Sequence, residues 1–174
     1  MFEFTALILL LLIAVLTYAA TRPDRFRVER SLAIRAPAAT IFAYLDDLRR
    51  WEVWSPWLRK DPAMRQTYSG PASGTGAAYE WDGNRAVGAG RLEITESLAP
   101  SRMTMHLEFR KPFTAHNTSE FVLEPEGEWT RVRWCVHGPM PFISKLVGVF
   151  LDTDKMCGRD FEAGLANLRA AAEE

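Results

Sequence analysis

Two polar side chains interrupt an otherwise apolar face in a stretch of alternating hydrophobicity, and they are the first candidates for chemistry. Asn117 and Ser119 share the side of their predicted strand that also carries Phe121. A buried polar group needs a hydrogen-bonding partner, so the amide and the hydroxyl could orient a carbonyl or hydroxyl group of a bound molecule. The sequence therefore predicts ligand-binding roles for both residues and makes Asn117 a candidate catalytic group.

Glu96 is the second candidate catalytic group, and two placements are open for it. If the strand before Ala99-Pro100 keeps its phase, Glu96 faces inward, where desolvation raises its pKa and the carboxylate can act as a general base. If the strand contains a bulge, Glu96 faces solvent, and we favour this second placement. Catalysis is therefore the alternative hypothesis, and binding without turnover is the first.

The histidines fall on the outer face of the predicted sheet. The hairpin registers place His116 opposite His137, with Glu108 beside them and His106 and Cys135 in the next row. Side chains of these types ligate metals. The set lacks the short ligand spacings of structural zinc sites, however, and it lies on the face opposite the apolar one. We interpret these histidines as solvated surface residues and predict no metal site and no other cofactor.

Composition and motifs favour neither nucleic-acid binding nor the common nucleotide and hydrolase chemistries. The sequence contains no GxGxxG or P-loop pattern and neither GxSxG nor HExxH. Its 21 basic and 22 acidic residues nearly balance, so no strong positive field is available to attract a nucleic acid. Cys135 and Cys157 form no CxxC pair and no evident disulfide framework. We expect no nucleic-acid partner, and protein partners stay open.

The elements that must position these residues follow from the period of the apolar residues. Residues 27 to 35 alternate as a first strand, and residues 39 to 50 show helical spacing, which predicts two short helices. From residue 64 to 137 the period is two, interrupted by Gly- and Pro-containing turns, which predicts an antiparallel meander. Residues 141 to 172 return to helical spacing with a broad apolar stripe and predict one long C-terminal helix.

The hairpin registers test whether one face of this meander is apolar throughout. The central hairpin sets Met103 against Phe121, and the last hairpin sets Phe121 against Val132. A two-residue turn in the first hairpin sets Tyr79 against Gly88. One face is then largely apolar, and the most economical way to bury it is against the stripe of the C-terminal helix. The expected fold is α+β, with a curved antiparallel sheet wrapped around that helix.

The first segment of the chain differs from the rest. Residues 4 to 20 carry no charge, and as a helix they would span about 25 Å, close to the ~30 Å hydrocarbon core of a bilayer. Because Glu3 and no basic residue precede the run, we favour a membrane anchor over the alternative of a cleavable signal peptide. We predict an anchor at residues 1–21, a linker at 22–26 and one domain at 27–172. Four arginines follow the run and place this domain on the cytoplasmic side of a single-pass protein.

Several short segments of the domain carry a family resemblance. They are Trp51-x-x-Trp54-Ser55-Pro56-Trp57, Tyr68-Ser69-Gly70-Pro71-Ala72-Ser73-Gly74-Thr75-Gly76 leading to Tyr79-Glu80-Trp81, Lys111-Pro112-Phe113 with His116-Asn117-Thr118, and His137-Gly138-Pro139. Over roughly residues 26 to 172 the chain resembles the bacterial, membrane-anchored members of the SRPBCC superfamily, which includes START-like lipid carriers and polyketide cyclase/dehydrases.

This resemblance implies a helix-grip fold with a hydrophobic cavity between the sheet and the C-terminal helix, entered near the short helices. The alternative for each wall residue is ordinary core packing. Besides Asn117 and Ser119, the expected ligand-binding residues are Trp54, Trp57, Tyr79, Trp81, Met103, Met105, Leu107, Phe121 and Trp134 from the short helices and the sheet, and Phe150 and Phe161 from the C-terminal helix.

Three functions are consistent with such a domain. The first is binding, transport or sensing of a hydrophobic small molecule, such as a lipid, isoprenoid or polyketide, near the membrane that the anchor reaches. The second is an enzyme of the cyclase or dehydratase type acting on a hydrophobic substrate. The third is an interaction module whose cavity is filled by its own side chains. Because the superfamily shares no catalytic set, we favour the first.

Overall fold

The computed structural model describes residues 2–150 and 152–174. Helix α1 comes first, and a strand, three short helices, six further strands and two helices follow it. The elements are α1 (Phe2–Thr21), β1 (Arg25–Ile34), α2 (Ala38–Asp46), a 3-10 turn (Leu48–Arg50), α3 (Trp51–Trp54), α4 (Pro56–Lys60), β2 (Arg65–Ser69), β3 (Ala78–Asp82), β4 (Ala89–Leu98), β5 (Arg102–Lys111), β6 (Ala115–Glu126), β7 (Trp129–Pro139), α5 (Phe142–Phe150) and α6 (Thr153–Ala172).

The seven strands form one antiparallel sheet in the order β1-β7-β6-β5-β4-β3-β2. Helix α6 packs on its concave face through Phe161, Leu165 and Leu168, which recur at helical spacing and are buried. Burying a side chain of this size stabilises the fold by about 1.5–3 kcal/mol. This arrangement is the predicted helix-grip fold.

The pairing of the strands agrees with the predicted registers at one hairpin and differs at two. Met103 faces Phe121 between β5 and β6, as predicted. Between β6 and β7, however, Phe121 faces Trp134, because the turn forms at the next residue along, where Gly127 has a φ of 66°. Between β3 and β4, Tyr79 faces Leu92 rather than Gly88, because a six-residue loop replaces the expected two-residue turn.

The C-terminal region contains two helices where one long helix was predicted. The Asp152 side chain accepts a hydrogen bond of 3.0 Å from the backbone N–H of Lys155 and so caps the start of α6. The backbone of Asp152 is extended, with a ψ of 92°. Helix α6 is therefore the helix gripped by the sheet, whereas α5 packs against α1.

Helix α1 is long and apolar enough to cross a membrane, by length and composition, over the 19 residues from Glu3 to Thr21. A signal sequence passes the same test. Most of its side chains are exposed, and Ala19, near its C-terminal end, is the buried one among those described.

Candidate functional site

A cavity of about 270 Å³ lies between the concave face of the sheet and the first half of α6. Its wall is mainly apolar and aromatic. The lining residues are Phe26, Val28, Trp51, Trp57, Met64, Tyr79, Trp81, Ala86, Val87, Leu92, Leu107, Phe109, Asn117, Ser119, Trp134, Val136, Cys157, Asp160 and Phe161.

The cavity occupies one end of the domain. Phe26 lies at the start of β1, Asn117 near the start of β6 and Phe109 near the end of β5, and the antiparallel pairing brings these positions to the same end of the sheet. Towards the other end, core side chains such as Met103 and Leu165 fill the space between sheet and helix. The interior is therefore hollow at one end and close-packed at the other.

The structure brings most of the predicted wall residues to this cavity. They are Trp57, Tyr79, Trp81, Leu107, Asn117, Ser119, Trp134 and Phe161. The strand residues among them share this placement because side chains two positions apart point to the same face of the sheet, and α6 lies over that face.

The remaining predicted wall residues lie elsewhere. Met103, Met105 and Phe121 are fully buried in the close-packed end of the core. Trp54 is also fully buried, because its ring packs edge-on against Phe121 at 5.9 Å, and its Nε1 donates to the carbonyl oxygen of Tyr44 at 3.1 Å. These four residues do not line the cavity.

Phe150 is the largest departure from the predicted wall. It lies on α5 rather than on the gripped helix, and its side chain is exposed. The helical spacing of apolar residues continues from α5 into α6, so the sequence placed Phe150 and Phe161 on one stripe although they belong to separate helices.

Asn117 and Ser119 differ in how their polar groups are satisfied. The Ser119 hydroxyl accepts a hydrogen bond of 3.1 Å from Nε1 of Trp134. The Oδ1 atom of Asn117 is buried and finds no hydrogen-bond partner among the described residues. It packs against Gly138, where a Cβ atom would lie only 2.2 Å from Oδ1, so a larger residue there would displace the amide. The cavity wall thus contains one amide without a protein partner for its oxygen.

The aromatic side chains give the wall a fixed shape. Trp134 stacks on Phe161 with ring centroids 4.3 Å apart and meets Trp57 edge-on at 5.5 Å. Trp81 meets Phe109 edge-on at 5.7 Å. Offset and edge-to-face contacts of this kind contribute about 0.5–1.5 kcal/mol each beyond the area that they bury. The rings therefore hold one another in place.

Two residues of α6 contribute ionisable side chains to the wall. Burial raises the pKa of the Cys157 thiol, which therefore stays protonated at neutral pH. Asp160 is the charged side chain among the lining residues described, and both of its oxygens lie 2.7 Å from Nζ of Lys60 on α4. This ion pair compensates the carboxylate, so the wall suits an uncharged molecule.

Glu96 and the histidines lie outside the cavity. A bulge in β4 turns Glu96 to solvent, where it lies 3.7 Å from Arg102, so the inward placement that a general base requires is not the one adopted. His106 and His116 stack on the outer face with centroids 5.6 Å apart, whereas His137 faces Thr118 because of the shifted register. Within the described ranges, no group of three or more candidate ligands could hold a metal ion.

The wall also contains residues that were not predicted. Phe109 shares the inward alternation of β5 with the predicted Leu107, so this signal could have identified it, and Leu92 faces the predicted Tyr79 and Leu107 on the neighbouring strands. Val87 lies in the loop between β3 and β4, and Cys157 lies on the first turns of α6. Their positions depend on how the loop and the helix pack, which periodicity does not report.

Sequence comparison assigns the domain to a family. Residues 25–173 match the family described as polyketide cyclase / dehydrase and lipid transport. The chain belongs to this family. The match covers the sheet, the short helices, α5 and α6. No curated protein matches the chain at a significant level.

Solved structures with little sequence identity share the fold of this polyketide cyclase / dehydrase and lipid transport domain. Protein CV1439 from Chromobacterium violaceum has a TM-score of 0.61 at 14% identity, over 88% of this chain and 99% of that one. Aha1 from Colwellia psychrerythraea has a TM-score of 0.60 at 19% identity, over 85% of this chain and 96% of that one. Ginseng major latex-like protein 151 from Panax ginseng has a TM-score of 0.59 at 13% identity, over 86% and 99%. These likenesses establish the fold.

Proposed function

We propose that the chain binds an uncharged hydrophobic small molecule that carries one hydroxyl group, and that it acts as a carrier or sensor of that molecule. The observation that carries this proposal is the unpartnered Oδ1 atom of Asn117 in the wall of a mainly apolar cavity. A buried polar group without a partner costs about 1–3 kcal/mol. A ligand hydroxyl that donates a hydrogen bond to Oδ1 recovers part of this cost.

The volume of the cavity narrows the class of ligand. At about 270 Å³ it lies just below the usual range of about 300–1,000 Å³ for ligand pockets. A single acyl or isoprenyl chain or a compact polyketide ring system suits this space, whereas a two-chain lipid would leave much of its surface outside. The open volume also disfavours an interaction module with a filled interior.

We further propose that α1 is a single-pass anchor and that the domain lies on the cytoplasmic side. Exposed apolar side chains around α1 support the span. Arg22, Arg25, Arg27 and Arg30 directly after it support the orientation through the positive-inside tendency. The anchor would keep the cavity close to a membrane that dissolves its ligand, which raises the effective ligand concentration.

The enzymatic alternative is weaker because Glu96 faces solvent. A cyclase or dehydratase would need another base beside the ligand. Asp160 is the carboxylate in the wall, and Lys60 binds both of its oxygens. We therefore favour binding without turnover.

Replacing Asn117 by leucine tests the role of the amide. The two side chains have similar shapes, so we expect the free energy of unfolding of the unliganded protein to rise by about 1 kcal/mol as the unpartnered polar group is removed. Affinity for 2-naphthol should fall about three- to tenfold, the usual worth of one hydrogen bond, whereas affinity for naphthalene should not fall. Quenching of tryptophan fluorescence measures the two affinities.

Thr118→Val provides the matched control, since it also removes a polar group from β6 but on the outer face. It should leave both affinities unchanged. Equal losses for the two probes in Asn117→Leu, or no loss for 2-naphthol, would show that the amide does not recognise a polar group.

A further inference from the structure

Helix α5 presents an apolar stripe to the outside of the protein and buries its charged residue. Ile143, Val147 and Phe150 recur at helical spacing and are 64%, 46% and 74% exposed, whereas Lys145 is only 7% exposed. A surface helix of a water-soluble domain normally shows the opposite arrangement. The exposed stripe of α5 is therefore suited to an apolar environment.

The inner face of α5 is bound through an ion pair, and the residues just before α5 through a hydrogen bond, to the segment that follows α1. Nζ of Lys145 lies 2.6 Å from Oδ1 of Asp24, and the backbone N–H of Met140 donates to the carbonyl oxygen of Asp24 at 2.7 Å. The fully buried Ala19 lies near the C-terminal end of α1, the helix against which α5 packs. Helix α5 is thus held at one end of the apolar helix.

From these contacts we propose that α5 lies in the headgroup region of a lipid bilayer, with its exposed stripe in the acyl chains, and that it holds the hollow end of the domain against the membrane. This inference rests on the proposed anchoring by α1. The 19 residues of the candidate span in α1, from Glu3 to Thr21, extend about 28 Å, slightly less than the ~30 Å hydrocarbon core. A helix packed at its end therefore falls at the boundary, where amphipathic helices insert about 5–10 Å.

The sheet turns the same end towards the membrane. Strand β1 begins at Arg25, four positions after the last residue of α1, and the antiparallel pairing places the β5–β6 turn at this end. Phe113 in that turn is 75% exposed. The cavity occupies this end too, since Phe26 and Phe109 line it. Docking by α5 would let a hydrophobic ligand pass between bilayer and cavity with little exposure to water.

Photolabelling of the full chain in phosphatidylcholine liposomes tests this docking. A phosphatidylcholine with a diazirine in its acyl chain is activated by light, and the labelled peptides are mapped by mass spectrometry. We expect adducts on α1 and on the Ile143, Val147 and Phe150 stripe of α5. Their yield on α5 should be severalfold higher than at Leu98 and Trp129, which are exposed apolar residues at the opposite end of the sheet.

The outcomes separate the two proposals. Adducts on α1 without adducts on α5 would overturn the docking of α5 and leave the anchor intact. Adducts on neither helix would overturn the anchor and the docking together, and the binding proposal would still be judged by its own probes. Adducts on α5 no more abundant than those at Leu98 and Trp129 would likewise show that the stripe does not lie in the acyl chains, and the docking proposal would be wrong.

Discussion

Replacing Trp134 by alanine should lower the free energy of unfolding by about 3–5 kcal/mol, the usual cost of removing a buried tryptophan side chain. Trp134 is almost fully buried and stacks between Phe161 at 4.3 Å and Phe121 at 4.9 Å. It also meets Trp54 edge-on at 5.6 Å and donates its Nε1 hydrogen to Ser119. One ring thus joins the sheet, α6 and the short helices, and its loss would extend the existing hollow.

Denaturant unfolding of the full chain in detergent micelles measures this effect. Trp129→Ala is the matched control, because Trp129 lies on the same strand with its side chain exposed. This control should change the free energy of unfolding by no more than about 0.5 kcal/mol. If Trp134→Ala were no more destabilising than Trp129→Ala, Trp134 would not be the residue that joins the layers.

Replacing Leu107 by tryptophan should weaken the binding of 2-naphthol at least about tenfold, equivalent to about 1.4 kcal/mol. Leu107 lines the cavity on β5, faces Asn117 on β6 and faces Leu92 on β4. A larger side chain at this position would occupy the hollow beside the amide. Overpacking normally strains a core, but here the added atoms enter open space, so we expect the fold to be retained.

His106→Trp is the matched control for this variant. His106 is the preceding residue on the same strand, and its side chain is exposed on the outer face of the sheet. Both variants add an indole to β5, but only Leu107→Trp adds it inside. Unchanged affinity in a folded Leu107→Trp protein, measured by fluorescence titration, would place the binding site outside this cavity.

The sequence was sufficient to predict the sheet and its inward face. The alternation of Met103, Met105, Leu107 and Phe109 identified the buried side of β5, and the short turn after it determined the β5–β6 register. The β3–β4 register could not be predicted because the conformation of the connecting loop depends on a residue distant in sequence. Oδ2 of Asp61 accepts a hydrogen bond of 2.7 Å from the backbone N–H of Asn84.

Alternation also could not separate the hollow end of the domain from the filled end. Met103 and Leu107 share one face of β5, yet the first is packed in the core and the second lines the cavity. The difference depends on where Leu165 and Leu168 of α6 fill the space, which is a property of the assembled layers. Asp152 could have indicated the start of α6 from the sequence, since an aspartate before a helical run is a common N-cap.

Native mass spectrometry of the full chain, purified from its own membranes and released from lipid nanodiscs, tests the central claim most directly. The account predicts one hydrophobic small molecule per chain, bound in the wild type and absent from Leu107→Trp. A wild-type protein that carries no such molecule, and takes up none when mixed with an extract of those membranes, would contradict it.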